Sequence, residues 1–176
     1  MRRAPAVLTL LACLIGGGAH GDSGAGAQAY ERGEYEQAFR LLKPAADAGD
    51  AGAQLRIGLM YYAGKGTREN DREAFSWFRR AAEQGLGEAQ FQLAAMYMFG
   101  YGVTAPAAEL DREAARWYLA AAEQGHIEAQ YTVGLMLLAG TGFAQNPDEA
   151  RLWMQRAAAQ GHAQAREFVA GIKAAP

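Results

Sequence analysis

From residue 27 to residue 173, apolar side chains return every three or four positions in runs of about a dozen, and glycine closes most runs. That spacing lines the apolar residues along one face of a helix. The runs come in pairs. In the first complete pair, Ala53, Ile57, Gly58 and Tyr61 share a face, Gly64-Lys65-Gly66 interrupts, and Ala74, Trp77, Phe78, Ala81 and Ala82 mark a second helix ended by Gly85. The plan returns as Ala89, Leu93, Ala94 and Tyr97, then Gly100-Tyr101-Gly102, then Ala114, Trp117, Tyr118, Ala121 and Ala122 before Gly125. A third copy has Ala129, Val133, Gly134 and Leu137, then Gly140-Thr141-Gly142, then Ala150, Trp153, Met154, Ala157 and Ala158 before Gly161. Second helices have marked starts: Asn70 with Glu73 three residues on, and Asn146 with Pro147 and Glu149. The second copy is four residues longer, and the excess is expected in its loop, Val103 to Leu110.

A phrase recurs in phase with these helices. Ala81-Ala82-Glu83-Gln84-Gly85 followed by Glu88-Ala89-Gln90 returns at Ala121 to Gly125 with Glu128-Ala129-Gln130, and more loosely around Gly49 and Gly161. The four glycines lie 36, 40 and 36 residues apart. A fixed period of this length predicts a solenoid in which each helix pair stacks on the next. The units span 51–86, 87–126 and 127–162. Ahead of them, 22–26 reads as a flexible lead-in and 27–49 as an N-terminal helix pair, broken at Gly33 and bent or weakened at Pro44. The last helix, 163–173, turns polar with Arg166, Glu167 and Lys173, as a terminal cap must.

Composition adds a location and removes some functions. Residues 1–21 read as an export signal, with Arg2-Arg3, an apolar run from Ala6 to Ile15 and the small residues Gly16 to Ala19. Cleavage after Ala19 or Gly21 fits the small-residue rule. The run is too short for a bilayer, which takes roughly 20 residues. The product is expected to be periplasmic or secreted, without a transmembrane segment. A competing reading takes Leu10-Leu11-Ala12-Cys13 as a lipoprotein box that acylates Cys13. Cys13 is the single cysteine, so the mature chain rests on packing without disulfides. Arg2 and Arg3 are the only charges in 1–21, so the net charge of −2 becomes −4 beyond them. No basic stripe is left for nucleic acid.

The Ala-Gln starts, the Gly-x-Gly loops and the Ala…Trp…Ala-Ala…Gly second helices resemble the Sel-1-like repeat, a relative of the tetratricopeptide repeat. The three units 51–86, 87–126 and 127–162 carry the resemblance, and 27–49, with Gly33-Glu34-Tyr35 and Ala38, looks more like an ordinary tetratricopeptide unit. Leu137, Ala94 and Met154 depart from the pattern, all with apolar or small residues. The resemblance implies an all-α fold, a right-handed α-superhelix of antiparallel helix pairs, that binds other proteins. Bacterial members often act in the envelope, in signalling or in host contact.

Catalytic chemistry is hard to assemble. Beyond the signal only His126 and His162 remain, at equivalent places in successive repeats about 10 Å apart, too far for one metal. Gly64-Lys65-Gly66-Thr67 follows a helix and lacks the strand a phosphate loop needs. The acids Asp71, Glu73, Asp111 and Glu113 suit the first turns of helices. The three tryptophans repeat in phase, which points to core packing. No catalytic residue, metal ligand or cofactor site is expected, and the chain is expected not to be an enzyme. A hydrolase or a β-lactam- or peptidoglycan-binding protein of the same repeat family is the alternative class, weakened by the missing cysteines.

A partner surface is easier to place. By the resemblance, the first helix of each pair lines the concave side. The outward positions there hold Leu55, Leu59 and Tyr62 in unit one. They hold Glu88, Phe91, Met98 and Phe99 in unit two, and Glu128, Tyr131, Leu135 and Leu138 in unit three. Apolar surface gathered in a groove marks a protein or peptide site. Strong curvature could instead bury these residues against adjacent helices.

Overall fold

Asp50 opens the first complete repeat by accepting a hydrogen bond from the Ala53 N–H at 2.7 Å, which satisfies a donor that the helix itself leaves unpaired. In the computed structural model, which describes residues 21–174, this helix is the third. The first pair is α1 (Gly21–Glu31) and α2 (Tyr35–Asp47), followed by α3 (Ala51–Ala63) with α4 (Asp71–Glu83). Then come α5 (Gly87–Phe99) with α6 (Ala107–Glu123), α7 (Ile127–Ala139) with α8 (Pro147–Ala159), and α9 (Ala163–Ala174). Each helix packs on the next, and the first helices α1 and α3 also touch each other. Short connections make neighbours antiparallel. The described residues contain no strand, and the chain is an all-α solenoid of repeated helix pairs.

The marked helix starts cap as expected. Asn70 Oδ1 accepts from the N–H groups of Arg72 and Glu73 at 3.1 and 3.2 Å. Asn146 accepts from Glu149 N–H and donates its amide to the Glu149 carboxylate at 3.0 Å. The Gly-x-Gly loops have two separate jobs. Gly100 ends α5 in the left-handed conformation, with φ 66°. Gly102, also at positive φ, lies so close to the Asp71 carbonyl that a Cβ would collide with it. Gly66 sits on Tyr35 and Gly142 on Asp111 in the same way. Every loop thus rests on the second helix of the preceding repeat, and only glycine permits the approach.

Two expectations change. The four extra residues of unit two do not lengthen its loop: Ala63 to Asp71, Phe99 to Ala107 and Ala139 to Pro147 all leave the same gap. They add one turn to α6, which has 17 residues where α4 and α8 have 13. Ala107-Ala108-Glu109-Leu110 are strong helix formers, and a proline just before them suits a helix start. The N–H groups of Glu109 and Leu110 bond the Pro106 carbonyl. The lead-in at 22–26 is likewise helical, as part of α1. Its glycine serves contact: a Cβ on buried Gly26 would stand 2.7 Å from Leu42 Cγ. The export signal lies outside the described residues, apart from Gly21 at the start of α1. Helix α2 continues through Pro44 to Asp47.

The core is built from small residues beneath large ones. Ala81, Ala82, Ala121, Ala122 and Ala157 are fully buried or nearly so, which lets backbones approach. Phe78 fills the space that Gly58 leaves, since a Cβ there would meet the ring at 2.7 Å, and Met154 does the same for Gly134. Trp77, Trp117 and Trp153 are buried. Each has an arginine guanidinium over its ring, Arg80, Arg116 and Arg156, at 4.2 to 4.5 Å.

Candidate functional site

The repeats are joined by a polar device that apolar patterning does not disclose. Buried Gln90 donates its amide to the Ala82 carbonyl near the end of α4 and accepts from Gln124 at 2.8 Å. Gln54 does the same with Ala46 and Gln84, and Gln130 with Ala122 and Gln160. Arg166 takes this place in the last repeat, donating to Ala158 O. Each side chain reaches back eight residues to a helix-end carbonyl and adds a second hydrogen bond to the one that carbonyl accepts from the closing glycine N–H. The signal for it was the glutamine of the recurring Glu-Ala-Gln phrase.

Beside this ladder, His126 caps α7 by accepting from the Ala129 N–H through Nδ1, and its Nε2 lies 3.1 Å from Glu88 Oε2. His162 repeats the arrangement with Ala165 and Glu128. The Phe91 ring stacks on His126 with centroids 4.4 Å apart, and Tyr131 stacks on His162 at 4.2 Å. At the junction of α3 with α5 the corresponding places hold Leu86, Gly52 and Leu55, so the Glu–His–aromatic set belongs to the two later junctions. Burial works to raise the Glu88 carboxyl, but hydrogen bonds from His126 and Gln92 outweigh it and hold the group below the ordinary carboxylate range. Tyr118 meets the edge of Phe91, and burial pushes its hydroxyl pKa well up. The two histidines answer to different glutamates. Among the described residues no three His, Cys, Asp or Glu side chains are grouped to hold a metal.

The candidate partner residues are all on α3, α5 and α7, and none is fully buried. Phe99 is 58 % exposed and Leu135 43 %. Leu55, Leu59, Tyr62, Met98 and Leu138 are half-buried, packed at the margin of the core. Glu88, Phe91, Glu128 and Tyr131 are half-buried too, but they are engaged at the junctions just described. The open part of this face is therefore centred on Phe99 and Leu135, toward the C-terminal half of α5 and the middle of α7.

Comparison with known proteins agrees with this architecture. The Sel1 repeat model matches residues 24–50, 51–86, 87–126 and 127–162. The N-terminal pair, expected to be an ordinary tetratricopeptide unit, thus falls within the Sel1 pattern. Among solved structures, a Sel1 repeat protein from Oxalobacter formigenes is 34% identical, with a TM-score of 0.78 over 86% of this chain and 59% of that one. The chain therefore spans well under two thirds of that relative. The protective antigen c5321 of uropathogenic Escherichia coli, which displays an SLR fold, is 26% identical with a TM-score of 0.51, over 86% of this chain and 40% of its own. Helicobacter pylori cysteine rich protein B is similar in fold, at 19% identity and a TM-score of 0.56, over 83% and 96% of the two chains. No curated protein is similar enough to count as a match.

Proposed function

Because this chain belongs to the Sel1-repeat family, we propose that it is an exported scaffold that holds a protein or peptide against the face of α3, α5 and α7. Sel1-repeat proteins are generally protein-interaction scaffolds, and the fold is typically non-catalytic. One observation carries the placement. Phe99 and Leu135 stay open on adjacent first helices although the neighbouring positions are packed. Large apolar side chains gathered on one face gain by being covered. Among the described residues no helix is long and apolar enough to cross a membrane. Export is supported by Arg2-Arg3, the apolar run and the small residues after it.

Charge substitution tests the placement. Tagged Phe99→Glu and Leu135→Glu proteins should melt like the parent and lose the partner that the parent crosslinks in its native cells. A parent-like yield of the same complex from both variants would remove the partner from this face. N-terminal sequencing tests export: the mature chain should begin at His20 or Asp22. Acylated Cys13 at the N-terminus would establish the lipoprotein route instead, and retained Met1 would contradict export.

A further inference from the structure

The first helices of the repeats begin with different chemistry. Asp50 caps α3 through its carboxylate, and α5 begins at Leu86 without a side-chain cap. Helices α7 and α9 begin at His126 and His162, whose Nδ1 atoms accept the N–H groups of Ala129 and Ala165, each at 3.2 Å. An imidazole can cap a helix only while Nδ1 keeps its lone pair. It is also the side chain that ordinarily takes up a second proton between pH 5 and 8.

The geometry decides where that proton goes and what it breaks. In each ring Nε2 already carries the hydrogen and gives it to a glutamate, Glu88 at 3.1 Å or Glu128 at 3.2 Å. The second proton therefore falls on Nδ1. There it meets the Ala129 or Ala165 N–H, donor against donor, and places a positive charge at a helix N-terminus, where the dipole opposes it. The other contacts of the ring gain. The tie to the glutamate becomes an ion pair. Phe91, stacked at 4.4 Å on His126, and Tyr131, at 4.2 Å on His162, offer their faces to a cation. The protonated ring stays with the preceding repeat and lets go of the helix it starts.

The surrounding groups leave this exchange in place. Among the described residues, Glu88 on α5 is the one carboxylate within 4 Å of the His126 ring, and Glu128 on α7 the one within 4 Å of His162. Glu88 is held below the ordinary carboxylate range, so it stays charged through mild acid. Helix α6 brings Tyr118 edge-on to Phe91, and burial keeps that hydroxyl neutral. Helix α8 directs Arg156 over Trp153, and on α9 Arg166 is turned to the Ala158 carbonyl.

We propose that His126 and His162 are acid-released helix caps: in mild acid each ring takes a proton at Nδ1, opens the first turn of α7 or α9, and keeps its tie to the glutamate of the preceding repeat. The response is confined to the two C-terminal junctions, because Asp50 keeps the α3 cap and α5 has none to lose. The first turn of α7 carries Glu128. The C-terminal part of the α3–α5–α7 face therefore loosens in acid while its N-terminal part holds, whatever that face binds.

Amide hydrogen exchange read by nuclear magnetic resonance on the purified protein tests this. From about pH 8 to about pH 5, protection at Ala129 and Ala165, corrected for intrinsic exchange, should fall about fivefold, the worth of a typical N-cap. Protection at Ala53, whose N–H is held by Asp50, should not fall. Imidazole nitrogen shifts at the upper pH should place the ring hydrogen on Nε2. His126→Asn supplies a cap that does not titrate, and should abolish the fall at Ala129 while leaving the fall at Ala165; His162→Asn should do the reverse. Protection at Ala129 and Ala165 that is indifferent to pH, or that falls equally at Ala53, overturns the proposal. So does an unchanged fall in the asparagine variants, or a ring hydrogen on Nδ1 at the upper pH.

Discussion

The imidazole Nε2 of His126 lies 3.1 Å from the carboxylate of Glu88, one repeat earlier in the chain. Because Nδ1 of the same ring accepts the Ala129 N–H, the ring proton is carried on Nε2 and given to Glu88. One side chain thereby starts its own helix and ties it to the preceding repeat. His162 and Glu128 do this again at the next junction, at 3.2 Å.

The Glu88 link has a pH signature. Hydrogen bonds from His126 and Gln92 prevail over burial and hold its folded pKa below the ordinary value. A depressed carboxylate contributes stability in full above its unfolded pKa and loses it as pH falls through the folded value. Glu88→Gln should therefore be less stable than the parent at pH 7, with the difference closing in acid below about pH 4. The side chain is 44 % exposed, so solvent screening limits the loss to under about 1 kcal/mol. Urea unfolding at pH 7 and pH 3 checks this, and a gap of equal size at both would contradict it.

The buried glutamine ladder should cost more to break. Gln90→Leu removes two hydrogen bonds at once, to the Ala82 carbonyl, which keeps the Gly85 N–H, and from the Gln124 amide. Each lost hydrogen bond costs about 0.5–1.5 kcal/mol net. Gln124 is exposed, so Gln124→Ala should cost clearly less because water replaces part of the contact. Chemical denaturation of the two variants checks the order.

The two glycines of one loop should differ in the same experiment. At Gly100 a methyl group meets only Leu110 Cδ1 at 3.9 Å, so Gly100→Ala bears the left-handed backbone cost alone, about 1–2 kcal/mol. At Gly102 the same methyl group collides with the Asp71 carbonyl. Gly102→Ala should exceed Gly100→Ala and loosen the α4 start as well, visible as faster amide exchange at Arg72 and Glu73. Equal losses would mean that the loop does not rest on the preceding repeat.

The sequence disclosed what recurs in phase with helical spacing: the repeat period, the pairing of helices, the caps at Asn70 and Asn146, and the buried tryptophans. It hid what depends on reach between repeats. Gln90 and His126 were visible as repeated residues, but apolar patterning treats polar positions as outward, and only the fold brings them to Ala82 and Glu88. Loop and helix were confused at 107–110 because the added turn is exposed over its first three residues and carries no apolar face to read. The glycines at 22–26 suggested flexibility, whereas Gly26 is needed for contact with Leu42. The outward residues of the first helices could be named from spacing. Their exposure could not, because curvature and the size of each neighbour decide it, as open Phe99 and Phe91, stacked on His126, show.

The central claim is that the α3–α5–α7 face receives a partner, and site-specific photocrosslinking in the native cells tests it most directly. A benzophenone amino acid would replace Phe99, Leu135 or Leu152 in turn. Leu152 on α8 is the control, since it is apolar and 55 % exposed but lies on a second helix. The account predicts that positions 99 and 135 yield an adduct with the same protein and position 152 does not. Adducts from position 152 alone, or equally from all three, would contradict it.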